Sequence, residues 1–175
     1  MNKILVLYKS KYGYTKTYAE MIADELACDL QEATNVSINM LQGYDTIIYG
    51  GGLYALGING IKLIKQNFDS LQTKNIVVWA TGSNPGRPSE MQEVWKLNFP
   101  DYMLKKIHTF YLRGGFDYQK LSSGHKLMMS ALKVKIKSTK NRSEDDELLL
   151  KAYDTPEYHC DRKNITTLIE YVKAL

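Results

Sequence analysis

The chain has 175 residues, of which 44% are hydrophobic and 24% charged, values typical of one globular domain with a sizeable core. No apolar run reaches the roughly 18 residues of a membrane-spanning helix, and the N-terminal apolar run is too short for a signal peptide, so we expect a cytoplasmic protein. The net charge of +4 is modest, and Cys28 and Cys160 have no Cys or His partners at metal-ligand spacing, so no metal site is predicted.

Strand-like and helix-like patterns alternate along the chain. The predicted strands are Lys3–Tyr8, Asp29–Ala33, Tyr44–Tyr49, Asn75–Ala80 and Ile107–Leu112. The predicted helices are Thr15–Leu26, Ile58–Phe68, Glu90–Lys106 with a break at Pro100, and Arg162–Ala174 capped by Asp161. We expect Gly50–Gly52 to end the third strand and Gly114-Gly115 to end the fifth. The alternation predicts an α/β fold in which helices cover both faces of a parallel sheet.

The segment 116–160 is too long to connect the last strand to the last helix, so we predict an insertion with helices of its own within a single domain, 1–175. Residues 118–142 contain seven cations and no acid. The pattern at Ser143–Asp146 predicts a capping box that begins a helix reaching Tyr153. Residues 133–137 alternate with period two, so the sequence does not decide between helix and strand there.

Ligands of parallel α/β sheets bind outside the carboxyl ends of the strands. The loops to consider are therefore Lys9–Thr15, Gly50–Gly57, Thr81–Pro88 and the residues from Gly114 onward. The first loop contains no GxxxxGK[ST] motif, so it is not a P-loop. Gly50–Ala55 formally matches a dinucleotide fingerprint, but it lies outside the opening strand–helix unit, so we interpret it as a chance match.

Two further ligand-binding classes with this strand order are excluded by single positions. A receiver domain needs acids after the first strand, where this chain has Lys9-Ser10, and an aspartate at the end of the third. A small phosphatase needs a cysteine nucleophile in the first loop, which has none. Ser10, Thr15 and Tyr12 supply hydroxyls, Gly13 permits close backbone approach, and a helix N-terminus favours an anion. These features predict a site for a mononucleotide monophosphate.

The stretch Ser10-Lys11-Tyr12-Gly13-Tyr14-Thr15 resembles the FMN-phosphate loop of flavodoxins, [ST]-x-[TY]-G-x-T. The resemblance implies a flavodoxin-like three-layer sandwich, with five parallel strands in the order 2-1-3-4-5 and an insertion after the fifth, and it implies FMN as the cofactor. Within the superfamily the chain is most similar to the branch of menaquinone-dependent protoporphyrinogen dehydrogenase. The shared features are a Gly-rich end of the fifth strand followed by Tyr118, a basic insertion there and an Asp-capped last helix.

The resemblance also implies which residues bind FMN, with the flavin ring between the second and third loops. Tyr54 is expected to stack on the ring beside Leu53 and Leu56, and Gly57 to present a carbonyl to the ring. Polar groups of the third loop are expected at the pyrimidine edge of the ring, and no second stacking aromatic is available between Thr81 and Pro88. The implied cofactor-binding residues are Ser10, Lys11, Tyr12, Gly13, Tyr14, Thr15, Leu53, Tyr54, Ala55, Leu56, Gly57, Thr81, Gly82, Ser83 and Asn84.

Two functions remain open at this point. One is an FMN oxidoreductase resembling protoporphyrinogen dehydrogenase that passes electrons to a quinone. The other is a flavodoxin-type carrier that docks on a redox partner protein. Positive charge near the flavin would raise its reduction potential and favour the oxidoreductase. The loops contain no plain acid–base pair, however, so the electron carrier stays an alternative. His125 and Arg113 are candidates for substrate contact.

The basic segment 120–142 offers three interpretations. It could lie peripherally on the inner face of an anionic membrane, it could form a lid over an acidic substrate, or it could be an ordinary surface helix. No nucleic-acid motif accompanies the cations, so we expect no nucleic-acid partner. The catalytic residues and the oligomeric state stay undetermined by the sequence, and a flavodoxin fold that has lost its flavin is a further possibility.

Overall fold

The computed structural model describes residues 2–34 and 36–175. Its strands are β1 (Ile4–Lys9), β2 (Asp29–Glu32), β3 (Thr46–Tyr54), β4 (Gly57–Ile58), β5 (Asn75–Gly82), β6 (Ile107–Arg113), β7 (Gly115–Phe116) and β8 (Glu157–Tyr158). Its helices are α1 (Tyr14–Leu26), α2 (Ile38–Gln42), α3 (Lys62–Gln66), α4 (Pro88–Asn98), α5 (Asp101–Leu104), α6 (Ser123–Ser138), α7 (Glu144–Ala152) and α8 (Thr166–Lys173). Short 3₁₀ turns cover Phe68–Leu71, Tyr118–Lys120 and Arg162–Ile165. Within the described residues no helix is both long enough and apolar enough to cross a membrane.

The chain folds into two compact units, and one of them interrupts the other in sequence. Unit 1 comprises 1–114 and 160–175, and unit 2 comprises 115–159. Unit 2 spans nearly the same residues as the predicted insertion.

The sheet of unit 1 has the strand order β2-β1-β3-β5-β6, and all four neighbouring pairs along this path are parallel. Counted among the parallel strands, this is the predicted order 2-1-3-4-5, so the predicted α/β class is confirmed. The strand β4 adds to β3 in antiparallel orientation, which the sequence did not predict. The carboxyl ends of β1, β3, β5 and β6 therefore meet at one edge of the sheet.

Successive residues of β1 pack on opposite faces of the sheet, because side chains alternate along a strand. Leu5 and Leu7 belong to an apolar cluster that includes residues of α2, α3 and α4, whereas Val6 belongs to a second cluster that includes residues of α1 and α8. All three side chains are fully buried. Helices thus cover the sheet on both faces, which gives unit 1 its three layers.

The prediction that Gly50–Gly52 end the third strand is wrong, because β3 continues through them to Tyr54. Gly50 and Gly51 pair with both β1 and β5, and Gly52 pairs with β5. A Cβ on Gly50 would lie 1.9 Å from the Trp79 ring, and one on Gly51 would lie 2.5 Å from the Asn59 carbonyl. The glycines therefore admit close packing inside a continuous strand.

The predicted helix Ile58–Phe68 is also shorter in the structure. Ile58 pairs with Leu53 in the β3–β4 hairpin, and Gly60 has a φ of 73°, outside the helical region. The helix α3 begins only at Lys62, and Phe68 begins a 3₁₀ turn.

Unit 2 contains β7, β8, α6 and α7. Gly115 and Phe116 pair with Tyr158 and Glu157 in an antiparallel ladder. Helix α6 includes residues 133–137, which settles the helix-or-strand alternative in favour of helix. The predicted capping box is confirmed, because Ser143 and Asp146 each accept from the other's backbone N–H at the start of α7.

Candidate functional site

The first loop joins β1 to α1 through Gly13, which has a φ of 96° and is the N-cap of the helix. The Gly13 N–H donates to Ser10 Oγ over 3.1 Å, so a hydrogen bond within the loop stabilises its turn. Gly13 has no side chain that could cap α1, and the first turn contains no acid. The positive end of the helix dipole is therefore available to an external anion.

Two lysines accompany this helix start. The Lys11 Nζ lies 5.6 Å from the centroid of the Tyr12 ring, and Lys16 lies 3.8 Å from Glu20 one turn along α1. Both lysines are exposed, whereas Thr15 is buried at the foot of the loop. The two lysines add positive charge to a helix start whose dipole already favours an anion.

The second loop is the turn of the β3–β4 hairpin. Its two central residues, Ala55 and Leu56, have φ values of 47° and 69°, in the left-handed region that favours glycine. A left-handed conformation costs an L-residue about 1–2 kcal/mol. The turn is therefore strained, and contacts with neighbouring residues must offset the cost of this strain.

Asn98, at the end of α4, holds this hairpin. Its amide oxygen accepts from the Ile58 N–H over 2.9 Å, and its Nδ2 donates to the carbonyls of Leu56 and Val94 over 2.7 and 2.8 Å. Only 6% of Asn98 is exposed. One buried side chain thus joins the turn of the hairpin and β4 to α4.

Tyr54 ends β3 and reaches the first loop. Its ring is 6.2 Å from that of Tyr12 in an edge-to-face arrangement. Burial, with a smaller contribution from the charge of Tyr12, raises the pKa of Tyr54 to about 12. The tyrosine is therefore a neutral, protonated aromatic group at physiological pH.

The third loop is fixed by side chains from β6 and α4. The Tyr111 hydroxyl is 2.7 Å from the Asn84 carbonyl and 2.6 Å from its Oδ1, and Asn84 Nδ2 donates to Glu90. The Arg113 Nε donates to the Ser83 carbonyl over 2.9 Å. A Cβ on Gly86 would lie 2.1 Å from the Tyr111 ring, so the loop lies directly against this tyrosine.

The three loops converge at the carboxyl edge of the sheet. The first and second meet through Tyr12 and Tyr54. The second and third meet where Leu53 lies 3.4 Å from the Cβ position of Gly82. The third and first meet at Gly114, whose Cβ would lie 2.6 Å from Thr81 Cγ2 and 3.0 Å from Tyr14 Cβ.

Two buried polar atoms of β5 have no hydrogen-bond partner in the part of the chain that the structure describes, namely Trp79 Nε1 and Thr81 Oγ1. Both residues face α1, because they alternate with Val78 and Ala80 of the opposite cluster. Burying a polar group without a partner costs about 1–3 kcal/mol. Thr81 lies beside Tyr14 at the first turn of α1, so its hydroxyl is placed to bond a polar ligand at the helix start.

The residues present fit FMN. The helix start with Ser10 and Thr15 suits the phosphate, and the Thr81 hydroxyl needs the kind of polar partner that a ribityl phosphate provides. Tyr54, Leu53 and the exposed Leu56 offer an aromatic and apolar surface of the kind that a flavin ring contacts.

The polar residues of the third loop, which the sequence analysis placed together at the flavin ring, lie on two different faces of the sheet. Gly82 and Asn84 lie against Tyr111, whereas Thr81 points to the other face of the sheet beside Tyr14. The other implied residues lie in the three converging loops. Of the candidates for substrate contact, Arg113 supports the third loop of unit 1, and His125 belongs to α6 of unit 2.

Sequence reasoning missed Asn98 and Tyr111. Asn98 lies in an amphipathic helix and before Pro100, where an asparagine is ordinary at a helix end. Tyr111 reads as one more apolar residue of a strand. In each case the side chain donates a hydrogen bond to a backbone carbonyl distant in sequence, and no local sequence pattern predicts such a bond.

A family model described as a flavodoxin domain matches residues 5–144. An uncharacterised protein of Methanocaldococcus jannaschii is 42% identical over 53 residues, which are 30% of this chain and 35% of that protein. The chain thus matches only about a third of that relative's length.

Solved structures give weaker similarities. A WrbA-like flavodoxin from Agrobacterium tumefaciens has a TM-score of 0.48 and 18% identity over 71% of this chain and 87% of that one. A flavoprotein from Lactobacillus acidophilus, solved in complex with FMN, has a TM-score of 0.42 and 17% identity over 65% of this chain and 93% of that one. These values are too low to carry an argument, so membership rests on the family model.

That model covers well over half of the chain, including all three loops. The chain therefore belongs to the flavodoxin domain family, and FMN is the cofactor that its loops fit.

Proposed function

We propose that the chain is an FMN-dependent oxidoreductase, of the kind represented by protoporphyrinogen dehydrogenase, that takes electrons from an organic substrate and passes them to a quinone. Bound FMN supplies a ring that accepts and returns electrons, and the protein tunes its potential. The observation that carries the proposal is the sign of the charge around the three loops.

The loops Lys9–Thr15, Gly50–Gly57 and Thr81–Pro88 contain three cations, Lys9, Lys11 and Arg87, and no Asp or Glu. Two more cations, Lys16 and Lys62, lie at the starts of the helices α1 and α3 that follow the first and second loops. Three of these cations are paired with carboxylates, and one of the carboxylates, that of Glu90, also accepts from Asn84 Nδ2 of the third loop. Glu32 is 3.7 Å from Lys9, Glu20 is 3.8 Å from Lys16, and Glu90 is 2.9 Å from Arg87. Five cations against three carboxylates leave a net charge of +2, so a flavin in these loops would have a net positive charge around it.

Cations stabilise the negative charge that a flavin gains on reduction. At about 10–15 Å and an effective dielectric constant of about 20, one unit charge contributes about 1 kcal/mol, or about 20 mV for a two-electron couple. Acidic surroundings would lower the potential instead. A raised potential suits an enzyme that oxidises an organic substrate better than a carrier that must reduce a low-potential partner.

A second function is supported by a different observation. The three loops contain no His, Asp or Glu, and Tyr54, with a pKa of about 12, stays protonated. A carrier needs no acid or base of its own, whereas many substrate oxidations use one. The alternative is therefore a flavodoxin-type carrier that exchanges electrons with a redox protein.

The test begins with the absorption spectrum of the purified protein after FMN is added and the excess is removed. The midpoint potential of the bound flavin is then compared among wild type, Lys11→Gln and, as a control, Lys173→Gln, which lies on α8 and pairs with Glu25. We expect Lys11→Gln to lower the potential by about 20 mV and the control to leave it unchanged.

Turnover with protoporphyrinogen and a menaquinone analogue then separates the two functions. Steady reduction of the quinone supports the oxidoreductase. A low potential without turnover, combined with rapid electron exchange with a redox protein, would establish the carrier instead.

A further inference from the structure

Helix α6 of unit 2 is apolar on two opposite sides. One side packs within the unit: Ile136 is buried, the Met129 carbonyl accepts from the Tyr153 hydroxyl, and the Ser130 hydroxyl is 2.6 Å from that of Tyr118. The other side is exposed. Leu127 and Val134 on that side are 74% and 69% exposed. A single exposed apolar side chain is ordinary, but several that form one contiguous patch mark an interaction surface.

The exposed side forms one continuous row, which we call the outer stripe: Leu127, Ala131 and Val134. Their spacing of four and then three residues places them on one line along the helix, over about 10 Å. All three are exposed. Met128 and Leu132, which are 50% and 36% exposed, lie farther round the helix, between the stripe and the buried Ile136.

Lysines border the outer stripe. Lys135 follows Val134 by one residue and Lys137 follows it by three, so at 100° per residue they project on opposite sides of the stripe. Both are exposed. Lys133, by contrast, faces inward, where it lies 3.7 Å from Asp154 and 4.6 Å from the Tyr153 ring centroid. An apolar row with a lysine on each side suits a helix that lies flat in a membrane interface, since lysine stems can follow the apolar surface while their ammonium groups reach the headgroups.

The composition of this surface favours a lipid over a protein as its occupant. Protein interfaces are enriched in aromatic residues and arginine and depleted in lysine, and their strongest contacts come from Trp, Tyr and Arg. Helix α6 has no aromatic residue and no arginine, and all four of its cations are lysines. Residues 118–142 hold seven cations and no acid. Lys120, Lys133 and Arg142 pair with acids of the same unit, whereas no ion pair of Lys135 or Lys137 is seen within the described residues. A diffuse layer of anionic headgroups matches the charge of these two lysines beside the stripe.

We propose that α6 docks on an anionic phospholipid surface, with the outer stripe inserted at the headgroup boundary and Lys135 and Lys137 at the phosphates. The inference rests on unit 2 alone and does not depend on the redox activity of unit 1. Its occupant is a membrane surface and not a second copy or a protein partner.

The experiment is sedimentation of the full-length protein with vesicles of phosphatidylcholine alone, or of equal parts of phosphatidylcholine and phosphatidylglycerol. We expect binding only to the anionic vesicles, and weaker binding at high salt. Lys135→Gln/Lys137→Gln should weaken the partition by on the order of fivefold per lysine. Leu127→Ser/Val134→Ser should weaken it by about tenfold or more, because two exposed apolar side chains no longer insert.

The matched control is Leu97→Ser on α4 of unit 1, which replaces another strongly exposed leucine (62%) outside the stripe. It should bind vesicles as wild type does, and circular dichroism should show all variants folded. The proposal is overturned if wild type ignores anionic vesicles, or if the serine pair binds them as tightly as wild type. It is equally overturned if wild type self-associates in solution without vesicles and the serine pair abolishes this, because the stripe would then be an interface between copies.

Discussion

Asn98→Ala offers the sharpest test of how the second loop is held. The substitution removes the amide that accepts from the Ile58 N–H and donates to the Leu56 carbonyl. The Ile58 bond is fully buried and the Leu56 bond is partly so. An unmet buried backbone group costs about 1–3 kcal/mol, with the higher end for the buried N–H. We therefore expect the free energy of unfolding to fall by about 2–4 kcal/mol.

The same substitution should affect FMN binding beyond its effect on stability. Without Asn98, Ala55 and Leu56 can relax out of their left-handed conformations, and restoring these would cost about 2 kcal/mol. If the cofactor needs the hairpin as the structure shows it, the Kd for FMN should rise about thirtyfold.

The assays are urea denaturation followed by tryptophan fluorescence, and FMN titration followed by the loss of flavin fluorescence. The control is Asn67→Ala, because Asn67 donates to the Leu63 carbonyl within its own helical segment and holds no loop. An unchanged Kd in Asn98→Ala, with Asn67→Ala also unchanged, would refute the view that this hairpin is part of the cofactor site. An unchanged free energy of unfolding would refute the role given to Asn98 itself.

Three more predictions follow from individual contacts. Gly50→Ala places a methyl group 1.9 Å from the buried Trp79 ring, so the free energy of unfolding measured in urea should fall by about 3 kcal/mol. In the control, Gly124→Ala, the added Cβ meets nothing within 4 Å, so this free energy should change little. Thr81→Val removes a buried hydroxyl that has no hydrogen-bond partner among the described residues, so the stability of the FMN-free protein should stay the same or rise. The Kd for FMN should rise about tenfold. A Kd equal to that of wild type would show that Thr81 is not part of the site. Because the pKa of Tyr54 rises from 10.0 to about 12 on folding, its contribution to stability is complete below pH 10 and is lost as the pH rises towards 12. Unfolding of the FMN-free protein followed from pH 9 to 12 should therefore depend less on pH in Tyr54→Phe, and identical slopes would contradict the assignment.

The sheet and the first loop could be predicted from sequence because their signals are local. Leu5, Val6 and Leu7 form an unbroken apolar run, which indicates a strand buried on both faces. Gly13 between hydroxyl residues, directly before the amphipathic pattern of α1, marks a helix start suited to an anion. Each of these signals lies within a few residues of the feature that it predicts.

The second loop could not be predicted because its cause lies elsewhere in the chain. Three successive glycines ordinarily end a strand, and only the tertiary structure shows that Gly50 lies within one, where the Trp79 ring leaves no room for a Cβ. The left-handed turn has Ala55 and Leu56 where a local rule expects Asn or Gly. That turn depends on Asn98, more than forty residues away, through bonds that no periodicity encodes.

The short ladder between β7 and β8 has a consequence for how this chain can change in length. Gly115 pairs with Tyr158 and Phe116 with Glu157, so the segment between them leaves and returns through adjacent positions. Closing a loop costs entropy that grows only slowly with its length, and here the ladder itself holds the two ends together. We therefore expect a change in the number of residues between Phe116 and Glu157 to leave the path from β6 to α8 unaltered. The surface of this segment can then change while the sheet that carries the three FMN loops keeps its strand order.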